Sequence, residues 1–265
     1  MRASTTLVLA LALAAPLSPA LAAPPAPPVI AGSHFTPDDK VQPIMVVTPT
    51  SVTLDGAPVI TLVKGELAKA DLDEKDVRGV IIPKLARAVA AAGHDYTRPK
   101  HPDGQYHMSS ASTPFVIQAD GTLPYKTMFQ LIESAVKGGA QTFAFVATEG
   151  GKRALWNVRM PTADEVADED PTDLGLTISI DGKSIVVWSL SGRAGTLAKP
   201  GATIALANRG ALAAALAKIL KAEKTKPARV LFLPANKTPV AVVYEVADIA
   251  LGAGIAAVRL SEPME

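Results

Sequence analysis

Three of the four histidines in this 265-residue chain, His94, His101 and His107, lie in one polar stretch with Asp95 and Asp103. Imidazole nitrogens and carboxylate oxygens are the groups that Zn²⁺ and similar ions take as ligands. The spacing matches no His-x₃-His or His-Glu-x-x-His pattern on a helix, and the stretch contains Pro and Gly. An exposed loop that happens to hold histidines accounts for it better. Ser109 and Ser110 follow His107, so a hydroxyl and a base stand close together. No Gly-x-Ser-x-Gly elbow frames them, and neighbours in sequence seldom form a triad. The chain has no cysteine, which excludes disulfides, thiol catalysis and thiolate metal sites. Gly138-Gly139 and Gly252-x-Gly254 follow helical patterns instead of preceding them, so they stop helices and do not cradle phosphate. The expectation is a protein that is not an enzyme, with no catalytic residues and no cofactor or metal.

The elements around these residues form a repeat. Residues 115–118 read as a strand, 125–137 as an amphipathic helix, Gly138-Gly139 as its stop and 142–146 as a strand. Residues 230–233, 240–251, Gly252 with Gly254, and 256–260 repeat that order. Pro124 matches Pro239, Met128 matches Val243, Phe129 matches Tyr244, Glu133 matches Asp248 and Gly139 matches Gly254, all at an offset of 115. Upstream, residues 52–60 and 177–188 each read as a hairpin with Asp-Gly at its tip, Asp55-Gly56 and Asp181-Gly182, offset by 126. Val80-Ile81-Ile82 reads as a short strand matching Ile204-Ala205-Leu206. Pro83 opens a helix over 84–92, and Asn208 caps one over 209–222. Residues 94–113 form an insertion. The predicted architecture is α+β, two tandem units of β-β-(β)-α-β-α-β, each a mixed sheet with two helices on one face.

Asp120 is the most tempting single residue, since it follows a strand and precedes a Gly-x-x-Pro turn. It reads either as an Asx-type turn residue or as a titrating group. Asn236 is taken as its counterpart in the second copy, and only one of the two side chains titrates, which favours the turn. Asp120, Tyr125, Asn236 and Tyr244 are the candidate partner-binding residues. Tyr125 and Tyr244 read equally as core or rim aromatics, and Trp156 and Trp188 as packing residues.

Hydrophobic residues make up 48% of the chain and charged residues 19%, which suits a core-forming protein. The net charge of +1 predicts no nucleic-acid partner and no strong attraction to an anionic membrane. Arg2, the apolar run 7–15 and Ala20-Leu21-Ala22 form a secretory signal peptide cut after Ala22 or Ala23. Pro16 and Pro19 interrupt the run well short of the roughly 20 residues of a span. The alternative is an anchor formed by residues 5–23. Expected boundaries are 1–23 signal, 24–43 Pro-rich, disordered leader, 44–148 first unit, 149–173 linker with the acidic cluster Asp164, Glu165, Asp168, Glu169 and Asp170, and 174–262 second unit.

The hairpins SVTLDGAPV and TISIDGKSI, with the blocks VIQADGTLPYKTMFQLIESAVKGGAQTFAFV and VLFLPANKTPVAVVYEVADIALGAGIAAVRL, resemble the periplasmic domain of the ExbD/TolR biopolymer-transport family. The resemblance covers residues 44–148 and 174–260. It implies a periplasmic cell-envelope location and binding of an envelope protein or peptidoglycan. The alternative it implies is a membrane-anchored transporter subunit. Family members carry a protonatable aspartate in a transmembrane helix. In this chain the first acidic residue is Asp38, beyond the only long apolar run. Two copies in one chain would replace the family's homodimer by an intramolecular pseudo-dimer, with a product that is soluble after signal cleavage.

Overall fold

The structure is a computed structural model, and it describes residues 26–30, 34–37, 42–93, 114–159, 174–222 and 229–264. The histidine stretch and the acidic cluster fall outside those residues, as do residues 1–23, where a signal peptide was expected. Among the described residues no helix is long and apolar enough to cross a membrane.

The fold is α+β, built on two sheets. In chain order the first sheet is built from β1 (Val29–Ile30), β2 (Thr36–Pro37), β3 (Met45–Val47), β4 (Ser51–Leu54), β5 (Ala57–Val63), β6 (Glu66–Leu67), β7 (Phe115–Ala119), β8 (Thr142–Glu149) and β9 (Lys152–Arg159). Its spatial order is β2-β9-β8-β7-β3-β4-β5-β6, with β1 pairing in parallel with the end of β8. The helices α1 (Pro83–Ala91) and α2 (Tyr125–Lys137) pack on each other. The second sheet contains β10 (Leu176–Ile180), β11 (Ser184–Ser189), β12 (Ala202–Ala205), β13 (Arg229–Pro234) and β14 (Ala257–Leu260), in the order β12-β11-β10-β13-β14. Its helices are α3 (Ala211–Ala222) and α4 (Val240–Gly252), again in mutual contact. Each unit has two parallel pairs joined through helices, β3-β7-β8 and β10-β13-β14. The apolar faces of both units run into one continuous core.

The strand registers correct the alignment of the two hairpins. In the first unit Val47 pairs with Val52 across β3–β4 and with Ala119 on β7. In the second, Ile180 pairs with Ile185 across β10–β11 and with Pro234 on β13. Asp181 therefore stands where Thr48 stands, an offset of 133, and not opposite Asp55. The turn chemistry agrees. The Thr48 hydroxyl accepts the amides of Thr50 and Ser51 at 3.2 and 2.9 Å. The Asp181 carboxylate accepts those of Lys183 and Ser184 at 2.6 and 2.5 Å. Asp55 and Gly56 make a different turn, β4–β5, with φ of 48° and 78°, as a type I′ hairpin requires. Shared Asp-Gly spelling in two unlike turns produced the misalignment.

Three further expectations are revised. Residues 80–82 form no strand, because side chains outside the triplet take their amides. The Asp76 carboxylate accepts from Val80 and Ile81, both at 2.8 Å, and Ser134 Oγ accepts from Ile82 at 2.8 Å. The counterpart of β12 is β5 instead, since Ile60 and Ile204 face the equivalent residues Val52 and Ile185. The start of the expected linker is strand β9, which pairs with β8 along its full length. The alternation of Ala154, Trp156 and Val158, all buried, was the sequence signal for it. Asn208 closes a short 3₁₀ turn, Leu206–Asn208, and α3 begins at Ala211.

Burial works to raise the pKa of Asp76. The amides of Val80, Ile81 and Arg78 and the Arg78 guanidinium outweigh it, and the pKa falls below the ordinary 3.8. A depressed carboxylate contributes stability that is present above its unfolded pKa and lost as pH falls through the folded one. Asp76→Ala leaves the amides of buried Val80 and of Ile81 without that acceptor and should cost about 1–3 kcal/mol at neutral pH. Urea titrations from pH 7 down to pH 2 should show the variant losing less stability on acidification than the parent. An unchanged acid slope would contradict this role.

Candidate functional site

The candidate residues converge where the two units meet, and the meeting is built from helix starts. The first amides of a helix have no partner within it. Both α2 and α4 begin after a proline, Pro124 and Pro239, with φ/ψ of −63°/139° and −62°/139°, and neither has a side-chain cap. Their amides are taken by the opposite unit. The Tyr125 amide donates to Thr238 O at 2.8 Å and the Val240 amide to Leu123 O at 2.9 Å. The Lys126 amide donates to Asn236 O at 3.1 Å and the Ala241 amide to Gly121 O at 3.0 Å. At the offset of 115 these bonds form two exact exchanges. Residue 125 on 238 mirrors 240 on 123, and 126 on 236 mirrors 241 on 121. Pro124 faces Pro239 directly in an antiparallel bridge. A residue meeting its own counterpart is the signature of a two-fold contact.

The strands also place Asp120 opposite Ala235 and Gly121 opposite Asn236, one residue away from the pairing read in the sequence. The Asp120 carboxylate accepts the Thr122 amide at 2.9 Å and the Thr122 hydroxyl at 2.6 Å, which is an Asx turn. Asn236 contributes its backbone, accepting from Lys126 and donating to Met264 O. Gly121 has a packing reason. A Cβ there would lie 3.1 Å from Ala241 Cβ and 3.6 Å from Pro28 Cγ.

Tyr125 and Tyr244 are 1% and 2% exposed, and both face the other unit. The Tyr125 hydroxyl donates to Ser261 O at 2.6 Å. Burial pushes its pKa up, with the Glu133 charge adding to the effect. The Tyr244 ring lies 5.3 Å from Trp156 and 5.7 Å from Phe145. Its hydroxyl is buried without a hydrogen-bond partner among the described residues, and burial raises its pKa well above the ordinary value. Trp156 is a packing residue, stacked on Phe35 at 5.8 Å with planes 5° apart. Trp188 is half-buried, and its indole N–H donates to Ser179 Oγ at 3.2 Å.

The leader joins this contact, which composition alone did not reveal. The β1 strand pairs with Thr148 and Glu149 of the first unit. The His34 amide and ring Nδ1 lie 3.3 and 3.1 Å from the Asp248 carboxylate of α4 in the second. The leader therefore straps one unit to the other. Among the described residues no three His, Cys, Asp or Glu side chains are grouped to hold a metal. Compared with known proteins, the chain matches no family model, no curated protein and no solved structure.

The two tyrosines allow a paired test. Tyr125→Phe removes a made hydrogen bond and should cost about 0.5–1.5 kcal/mol. Tyr244→Phe removes a buried hydroxyl without a described partner and should be neutral or stabilising. Equilibrium denaturation showing the reverse order would refute the assigned contact.

Proposed function

We propose that the chain is a non-enzymatic periplasmic binding or adaptor protein of the cell envelope, related to ExbD/TolR transport-energising subunits. Its two units act as an intramolecular pseudo-dimer that binds an envelope protein or a cell-wall component. The observation that carries this reading is the β12 edge. β12 pairs only with β11 among the described strands, so its other side presents backbone to solvent. The Leu206 amide bonds Lys183 O, and the alternation of an antiparallel ladder then turns the amides of Thr203 and Ala205 outward. Both residues are exposed. An extended partner segment would add there as a sixth strand.

The equivalent edge in the first unit is blunted. β5 carries the exposed Pro58 and folds back on itself through β6. The two-fold contact thus supports a scaffold on which β12 is an open acceptor edge. The buried candidate tyrosines serve the scaffold, so the surface left for a partner is the strand edge.

The exported chain should capture a partner from envelope extracts, and that partner should slow hydrogen exchange at Thr203 and Ala205. Thr203→Pro should abolish capture while leaving the circular dichroism spectrum unchanged, since the lost amide faces outward. Capture that survives Thr203→Pro contradicts strand addition. Mapping the mature N-terminus separates this reading from an anchored subunit. A chain starting near Ala23 supports export with cleavage, and one retaining residues 5–23 contradicts it.

A further inference from the structure

The near-neutral total hides a one-sided distribution. Residues 182–222 contain Lys183, Arg193, Lys199, Arg209, Lys218 and Lys221 and no Asp or Glu. Arg209 is paired with Glu245 at 2.6 Å. Four of the others gather at one end of the second unit. Arg193 and Lys199 sit in the loop between β11 and β12, and Lys218 and Lys221 in the last two turns of α3. Gly201 ties these together, because a Cβ there would lie 3.5 Å from Ile219 Cδ1. All four cations are exposed.

The same loop presents Leu190 and Leu197, 67% and 64% exposed, the only leucines among the large exposed hydrophobics described. The loop holds its shape. Thr196 and Lys199 exchange backbone hydrogen bonds of 3.0 and 3.1 Å, which places Leu197 and Ala198 at a hairpin tip. Gly195 bridges to Pro200, and Ser189 Oγ accepts the Ala194 amide at 2.8 Å. A hydrogen-bonded tip exposing leucine, on the same end of the unit as these cations, matches the chemistry of a bilayer surface. Apolar side chains enter the headgroup–acyl boundary while Lys and Arg meet anionic headgroups. A dissolved polyanion would use the cations but gain little from the leucines.

We propose that this end of the second unit docks on an anionic phospholipid surface, with Leu197 inserted and Lys199, Lys218 and Lys221 against the headgroups. It is a second interaction, independent of the β12 edge. The test is co-sedimentation of the exported chain with equimolar phosphatidylglycerol/phosphatidylcholine vesicles. Binding should fall steeply with salt and be absent on pure phosphatidylcholine. Lys218→Gln with Lys221→Gln should weaken partitioning about 25-fold, roughly five-fold per cation. Leu197→Ser should weaken it about tenfold. Both variants alter exposed side chains, and unchanged thermal melts would verify their folding. Equal binding to the two vesicle types overturns the proposal. So does heparin binding as tight as vesicle binding and indifferent to Leu197→Ser. Binding that appears only when Asp164, Glu165, Asp168, Glu169 and Asp170 are replaced by their amides also overturns it. The occupant would then be the chain's own acidic segment.

Discussion

The structure turns on helix amides that their own unit does not satisfy. Each of α2 and α4 opens after a proline, without Ser, Thr, Asp or Asn at the cap position. Unpaired buried amides are costly, so each start needs an outside acceptor. The opposite unit supplies carbonyls at 121, 123, 236 and 238. Because the loops that donate carbonyls are the same loops that lead into the helices, one contact serves both units. Neither helix start is complete without the other half of the chain.

Other features follow from that contact. Gly121 has no side chain because Ala241 crosses it closely. Tyr125 and Tyr244 are buried because the contact brings each against the other unit. The aromatic group of Phe35, Phe145, Trp156 and Tyr244 fills the space beside it, with one member from the leader and one from α4. The two units differ in what surrounds that contact. Glu133 pairs with Arg78 at 3.0 Å, whereas its counterpart Asp248 holds His34. One outer edge carries Pro58 and a return strand, whereas β12 has neither a proline nor a second strand partner among the described residues.

Much of the architecture was legible in residues. The helices 125–137 and 240–252 declare themselves by apolar spacing and by the prolines and glycines at their ends. The offset of 115 holds because that block is the two-fold contact itself. Legibility failed where different chemistry makes similar shapes. Thr48 and Asp181 cap equivalent turns with a hydroxyl and a carboxylate, so the Asp-Gly spelling led to the wrong partner. It also failed where side chains outside a segment decide. Ser134 and Asp76 divert the amides of an apolar triplet that otherwise reads as a strand. Asp120 makes an Asx turn with Thr122, but its counterpart in the second unit is Ala235. The net charge of +1 concealed the basic end of the second unit, because an average carries no position.

The central claim is that the two helix starts complete each other. Native-state hydrogen exchange at Tyr125, Lys126, Val240 and Ala241 tests it most directly. First-turn amides ordinarily exchange early, through fraying. If the carbonyls of the opposite unit hold them, all four should exchange only with opening of the contact between units, sharing one free energy and one denaturant dependence. Fast, independent exchange at the four positions would contradict the account.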